Sequence, residues 1–294
     1  MSNERKIILF PNAENDIDFI MTQKVENYLK KGGWKTVLCP AFIDTKPASA
    51  PPTGFVFADF ECELNTAEMI ITLGGDGTIL RAARSAADAG IPILGINMGG
   101  KGFIAELEVE DIELLKYVTT GGYEIESRMM IDVEVQRGGE VICRDFALND
   151  IVIKGGNKVI DMTIYGDGHK ITYFTGDGTI IATPTGSTAY SMSAGGPIVE
   201  PSAKNIIITP ICAHVMEAKT FVLTAGRVVT VEVDHKKNNP AYVSVDGGKH
   251  ISIFSGDIVK VCKSERLTKL VRLSDRSFYH KISSKLISRA AGDQ

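Results

Sequence analysis

Met69-Ile70-Ile71-Thr72-Leu73-Gly74-Gly75-Asp76-Gly77-Thr78 joins a short apolar run to a glycine-rich turn and then to a helical pattern from Thr78 to Asp88. The run is bounded by a breaker and apolar almost throughout, so it reads as a buried strand feeding a helix. Upstream, Lys6 to Phe10 is a second apolar strand. From Asn15 to Lys31, the residues Ile17, Ile20, Met21, Val25, Tyr28 and Leu29 recur at helical spacing until Gly32-Gly33 stops them. Lys35 to Leu38 reads as another strand, and Pro47 to Gly54 as a surface loop. Downstream of Gly90, Ile93 to Ile96 is again strand-like. Strands alternating with helices predict a parallel sheet covered on both faces.

This Rossmann-like α/β domain is expected over residues 1–122, closing after the amphipathic stretch Asp111 to Val118 and the Gly121-Gly122 break. The texture then changes. Ile131 to Val135 alternates, Gly138-Gly139 turns, and short β-branched runs follow at Val141 to Ile142, Leu148 to Ile153, Val159 to Tyr165 and Ile171 to Phe174. Further runs lie at Asn205 to Thr209, Arg227 to Val233, Ala241 to Val245, Ile251 to Ile253, Ile258 to Cys262 and Leu267 to Leu273. Residues 123–276 are therefore expected to form a largely antiparallel β-sandwich domain. Ser277 to Arg289 has a helical pattern, and residues 277–294 are expected to pack back on the first domain.

The 294 residues, 44% hydrophobic and 23% charged, have the composition of a globular chain, and about 150 residues per domain gives two domains. With 32 basic and 36 acidic residues, the chain lacks the footprint of a nucleic-acid binder, and no apolar run reaches the roughly 18 residues of a membrane span. No secretory leader is visible at Met1 to Lys6, so the protein is expected in the cytoplasm. Five cysteines, well separated and without Cys-x-x-Cys, indicate neither a disulfide framework nor a zinc cluster.

Two features carry chemistry. Gly74 to Thr78, placed between strand and helix, has the form of a backbone phosphate cradle, because glycine lets N–H groups approach phosphate oxygens. It is neither Gly-x-Gly-x-x-Gly nor a Walker A loop, and a tight turn with Asp76 as N-cap reads equally well. A carboxylate beside phosphates is repelled unless it serves as a base or holds a cation, which makes Asp76 more informative than the glycines. The second feature is Thr183-Pro184-Thr185-Gly186-Ser187-Thr188-Ala189-Tyr190-Ser191-Met192-Ser193-Ala194-Gly195-Gly196-Pro197. It offers five hydroxyls from Thr183 to Ser191, a tyrosine and glycine backbone with no charge, suited to the polar edges of a nucleotide. A hydroxyl-rich loop capping a short helix is the plainer reading.

In order and separation, Gly74 to Thr78, Asn149-Asp150 and Asp177-Gly178 followed by Thr183 to Pro197 resemble the NAD kinases, over nearly the whole chain. Gly-Gly-Asp-Gly-Thr alone is shared with diacylglycerol and sphingosine kinases, whereas the Thr183 to Pro197 block is specific. The resemblance implies transfer of the γ-phosphoryl group of ATP, or of polyphosphate, to the adenosine ribose 2′-hydroxyl of NAD, giving NADP. Asp76 is then the proton acceptor, and Gly74, Gly75, Gly77 and Thr78 face phosphate with a divalent cation, Mg²⁺, that arrives with ATP rather than in a fixed protein site. Asn149 and Asp150 contact the adenosine of NAD. Asp177, Thr185, Thr188, Ala189, Tyr190 and Ser193 line the rest of the substrate site, with Tyr190 stacking. Asp246, in Val245-Asp246-Gly247, matches a late Asp-Gly turn near the reacting ribose, and a simple hairpin turn explains it equally well.

The usual placement of sites at strand ends and domain boundaries gives the expectation of an active site in the cleft between the domains, the charge balance that of no nucleic-acid or membrane partner, and the resemblance implies a homodimer or homotetramer. Asp150 stands where most relatives have glutamate, Gly100-Lys101 replaces a basic or polar residue followed by leucine, Thr175 replaces a frequent arginine and Gly248 a frequent glutamine. The rivals are a lipid kinase sharing the Gly74 to Thr78 element and a non-catalytic dinucleotide sensor.

Overall fold

The computed structural model describes residues 5–41, 56–100, 102–214, 218–234, 240–273 and 278–287, the last with side chains to Ser284. The expected loop from Pro47 to Gly54, and Lys101, lie outside the described residues. The chain divides into two compact units, Met1–Ser127 with Thr268–Gln294, and Arg128–Leu267.

In the first unit the elements are β1 (Lys6–Pro11), α1 (Ile20–Lys31), β2 (Lys35–Leu38), α2 (Phe60–Leu64), β3 (Met69–Gly74), α3 (Asp76–Ala89), β4 (Ile93–Asn97), β5 (Leu107–Glu108) and α4 (Lys116–Thr120). The strands run in the order β2-β1-β3-β4, all parallel, with Ile8 opposite Ile70 and Ile70 opposite Ile93. Leu270, from the last strand of the chain, continues this sheet parallel to β4 at Ile93. Chain order reverses between β1 and β3, and in sheets of this type ligands bind at the carboxyl ends of the strands beside such a reversal. The Gly74–Thr78 turn stands at that end of β3.

Helix α1 buries Met21, Val25 and Leu29 at intervals of four, covering one face of the sheet. Each such side chain contributes about 1.5–3 kcal/mol when fully buried. The helical pattern expected from Asn15 begins as a 3-10 turn at Ile17–Phe19 and becomes α-helical only at Ile20, because Asp18 and Phe19 take positive φ. The buried Asp16 carboxylate caps the helix through the N–H groups of Met21 (2.9 Å) and Thr22 (2.8 Å).

The second unit is built from antiparallel strands: β6 (Glu124–Arg137), β7 (Glu140–Ala147), β8 (Asp150–Gly155), β9 (Ile160–Gly166), β10 (His169–Gly176), β11 (Gly178–Ala182), β12 (Asn205–Ile211), β13 (Phe221–Thr224), β14 (Val229–Asp234), β15 (Ala241–Val245), β16 (Ile251–Ile253) and β17 (Ile258–Arg272). One sheet runs β13-β12-β11-β8-β15-β16, and another pairs β10-β9-β14-β17. Ile151, Ile153, Ile181 and Ile208 from the first meet Ile164, Phe174, Val231 and Val259 from the second in one core, which makes the unit a sandwich. The outer face of the first sheet, Val152, Ile180, Ala182 and Ile207, is covered by Ala194 and Val199.

Two readings of the sequence are corrected. The runs at Ile258 to Cys262 and Leu267 to Leu273 fall largely on a single strand, β17, whose inward positions change phase in its middle, from Val259 and Val261 to the buried Ser264, Thr268 and Leu270. Strands β11 and β13 were not expected from the sequence; β11 is buried at every position and shows no alternation. Two further helices complete the chain: the single turn α5 (Tyr190–Ser193) in the second unit and α6 (Phe278–Ile287) in the first.

Candidate active site

At the end of β3 the backbone turns straight into α3. A Cβ on Gly74 would lie 2.3 Å from Thr78 Oγ1, so the close approach of strand end and helix start requires glycine there. Gly75 and Gly77 have open space where a side chain would be. The first N–H groups of a helix have no intrahelical acceptor, and together with the helix dipole they favour a bound anion.

Asp76 is not the N-cap. Gly75 holds that position without a side-chain bond, and Asp76 is the first residue of the helix. Its carboxylate reaches instead to the loop after β4, where Oδ2 accepts the N–H of Phe103 at 2.7 Å and Oδ1 that of Ile104 at 3.1 Å. A Cβ on Gly102 would stand 2.7 Å from Asp76 Oδ1. The loop is anchored by buried Asn97, whose side-chain nitrogen donates to Glu108 Oε2 (2.7 Å) and to the Gly100 carbonyl (2.9 Å). Asn97 Oδ1 is buried without a hydrogen-bond partner among the described residues.

In the second unit Asp246 organises a separate cluster. Asp246 (φ 47°) and Gly247 (φ 69°) both lie in the left-handed region, and the Gly248 N–H bonds the Val245 carbonyl at 2.8 Å, which is the hairpin Asp-Gly turn. The side chain does more than turn the chain. Its carboxylate accepts the N–H groups of Leu148 (2.8 Å), Asn149 (2.8 Å) and Asp150 (3.0 Å). Burial first, and then the Asp246 charge, push the Asp150 carboxyl up to about 7. Asn149 Oδ1 is buried with no partner among the described residues.

The Thr183 to Pro197 block packs on this cluster. Thr183 Oγ1 donates to the Leu148 carbonyl at 2.5 Å and accepts the Gly186 N–H at 3.1 Å. A Cβ on Gly186 would fall 2.0 Å from the Asn149 carbonyl oxygen, so the block lies directly against the Asn149 backbone. Its hydroxyls divide by role. Ser187 and Ser191 are buried and bonded within the unit, to Pro184 and Thr209. Thr185 is buried with its hydroxyl receiving Arg128 Nη1 at 3.2 Å. Thr188 and Ala189 are half-buried, and Tyr190 and Ser193 are exposed. Asp177 is placed by its backbone, which bonds Ile211 and Gly155.

Thus the structure gathers Gly74, Thr78 and Asp76 with the 102–104 loop in one unit, and Asn149, Asp150, Asp246 and Gly186 in the other. Sequence reasoning missed Arg128, for which no local signal exists, and the Phe103 and Ile104 amides, to which the glycines at 99, 100 and 102 point. No group of three or more His, Cys, Asp or Glu placed to hold a metal occurs among the described residues, nor a helix long and apolar enough to cross a membrane.

Comparison with known proteins gives a consistent picture. The ATP-NAD kinase N-terminal domain model matches residues 11–123 and the ATP-NAD kinase C-terminal domain model residues 148–273. A NAD kinase of Ruminiclostridium cellulolyticum is 35% identical over 292 residues, covering 97% of this chain and 99% of that protein. One from Natranaerobius thermophilus is 45% identical over 225 residues, 75% of this chain and 78% of that protein. Among solved structures, a NAD kinase from Archaeoglobus fulgidus in complex with ATP superposes with a TM-score of 0.71 at 27% identity, over 97% of this chain and 99% of that one. Yeast NADH kinase complexed with NADH gives 0.81 at 21% identity, over 99% and 89%, and so supports the fold. With both domain models matched in order and relatives aligned almost end to end, the chain belongs to the NAD kinase family of phosphotransferases.

Proposed function

We propose that this protein transfers the γ-phosphoryl group of ATP, or of polyphosphate, to the adenosine ribose 2′-hydroxyl of NAD, forming NADP. The observation that carries the reading is the Asp76 carboxylate, fixed by two backbone N–H groups at the start of a 14-residue helix on the glycine turn after β3. A carboxylate held in that position would repel bound phosphate unless it took up a proton or faced a cation.

In the reaction the ribose 2′-oxygen forms a bond to the γ-phosphorus while the bond to the bridging oxygen breaks, ADP leaves, and the hydroxyl proton passes to Asp76. A ribose hydroxyl is a far weaker acid than a carboxylic acid, and a loose transition state places little charge on the attacking oxygen. Asp76 therefore orients the hydroxyl and takes its proton late. The Gly75 and Gly77 backbone and the helix start face the phosphates, with Mg²⁺ entering as part of the nucleotide substrate. Asn149 and Asp150 contact the adenosine, and the unpaired Asn149 Oδ1 is an acceptor ready for a donor on it. Asp246, with its carboxylate taken up by three backbone amides, acts through the placement of these two residues. Asp177, Thr185, Thr188, Ala189, Tyr190 and Ser193 complete the binding surface. The family resemblance further supports a cytoplasmic homodimer or homotetramer, which light scattering would size.

The test is NADP formation from NAD, ATP and Mg²⁺ by the wild type and by Asp76→Asn, with NAD binding followed by calorimetry. Turnover in the wild type alone, with NAD bound by both, is the expected result. Binding without turnover in the wild type, with polyphosphate as well as ATP, would favour a dinucleotide sensor. Absence of NAD binding would return a lipid kinase to consideration.

A further inference from the structure

The loop that holds Asp76 is itself held from its other side by cations at the end of the chain. Ile104 gives its N–H to Asp76 Oδ1, and its carbonyl accepts Arg272 Nη1 at 3.2 Å. The next carbonyl, that of Ala105, accepts Lys281 Nζ of α6 at 2.9 Å. Both cations also meet Glu106: Arg272 Nη1 at 3.1 Å and Lys281 Nζ at 3.3 Å from Oε2, while the Leu273 N–H binds Oε1 at 3.1 Å. Arg272 Nε pairs with Glu126 at 2.6 Å. The Glu106 side chain is 2% exposed, that of Lys281 14% and that of Arg272 17%.

Such a network is a poor way to gain stability alone, since desolvating the charges offsets most of their attraction. What it does supply is direction. Two successive carbonyls are fixed by two cations, and the preceding N–H groups, of Phe103 and Ile104, are thereby aimed at the two oxygens of Asp76. We propose that Lys281, together with Arg272, is a positioning residue for Asp76, acting through the Phe103 to Ala105 backbone. This rests on Asp76 being the proton acceptor. A hydroxyl held for in-line attack tolerates little displacement of the group that orients it, and a misplacement of about 1 Å costs up to roughly 100-fold in rate.

Lys281→Met keeps the aliphatic stem and removes the ammonium bonds to the Ala105 carbonyl and Glu106; Lys281→Gln is a milder change that keeps a donor for the Ala105 carbonyl. Both are compared with the wild type and Asp76→Asn for kcat, KM for NAD and hydrogen exchange at the Phe103 and Ile104 amides, thermal melting serving as the folding control. The expected result for Lys281→Met is a kcat lower by about 10- to 100-fold, KM for NAD within twofold, and faster exchange at both amides, with Lys281→Gln intermediate. Unchanged kcat in a folded variant, or lower kcat without faster exchange, would overturn the proposal. If Lys281→Met does not fold, Lys281→Gln decides by the same criteria. Full turnover in Asp76→Asn would instead sink the reading of Asp76 on which the proposal rests, whereas an inactive Asp76→Asn beside a fully active Lys281→Met would sink the positioning role alone.

Discussion

Asp246 stands against Asp150 in two ways at once: its Oδ1 accepts the Asp150 N–H at 3.0 Å, and its charge, after burial, raises the Asp150 carboxyl to about 7. The same side chain thus fixes the backbone of Asp150 and opposes ionisation of its carboxyl. Asp246→Asn should separate the two effects. The Asp150 titration should move down toward the ordinary carboxylate range without reaching it, because burial, the larger cause, remains. Stability should fall by about 1.5–3 kcal/mol, as charge-assisted bonds to Leu148, Asn149 and Asp150 weaken. Carbon NMR of the Asp150 carboxyl against pH is the check, and an unmoved titration would refute the coupling.

Asp150→Asn follows from the same carboxyl with the opposite sign. In the unfolded chain Asp150 ionises near its ordinary 3.8, in the folded protein near 7. Between these values the folded state holds the extra proton, so stability declines as pH rises through the window and the penalty is complete above about 7. The amide mimics the protonated acid and removes that penalty. Asp150→Asn should be close to neutral at pH 4 and stabilising at pH 8 by something on the order of a few kcal/mol, while weakening NAD binding. Urea unfolding at the two pH values measures it; a stability gap that does not change with pH would rule the account out.

Gly102→Ala tests the steric fit around Asp76, the proposed proton acceptor. The new methyl would stand 2.7 Å from Asp76 Oδ1 and 3.4 Å from Asn97 Oδ1, nearer to the carboxylate than a carbon can stay. Asp76 is short and held by two amides, so relief comes from shifting the carboxylate or the loop. The expected result is kcat reduced by at least tenfold with KM for NAD little changed, a pattern that marks lost transition-state placement. Steady-state kinetics decide, and unchanged kcat would show that the loop yields freely.

The strand, turn and helix at Met69 to Thr78 were legible because local signals carry them: an apolar run, a cluster of glycines that breaks it, and a helical repeat. The Asp-Gly turn at Asp246 was legible for the same reason. What its carboxylate binds was not, since Leu148 to Asp150 lie nearly a hundred positions away and only the sheet brings them together. The same holds for Asp76 with Phe103 and Ile104. Strand β11 escaped notice because Gly178 to Ala182 is buried on both faces and has no alternation, while β17 read as two strands because its inward phase shifts between Val261 and Ser264, leaving exposed Lys263 where the alternation calls for an apolar residue. Buried Thr185 shows a further limit: composition marks a hydroxyl-rich block but does not tell which hydroxyls turn inward, here toward Arg128.

Gly186→Ala would probe how the hydroxyl-rich block is seated. The added Cβ would lie 2.0 Å from the Asn149 carbonyl oxygen and 2.5 Å from its carbon, both backbone atoms that no rotamer change can move aside. The Thr183 hydroxyl, which bonds both the Leu148 carbonyl and the Gly186 N–H, ties the two segments at this point, so the strain must separate them. Asn149 would then shift relative to Thr188, Ala189 and Tyr190, raising KM for NAD, and the loss of packing and hydrogen bonds should cost about 2–4 kcal/mol of stability. Unlike Gly102→Ala, the kinetic defect should appear in KM more than in kcat, because the segment is proposed to contact the bound nucleotide rather than the transferring group. Calorimetric NAD affinity and thermal melting of the variant measure both consequences, and wild-type affinity in a normally folded variant would show that the block is not seated through Asn149.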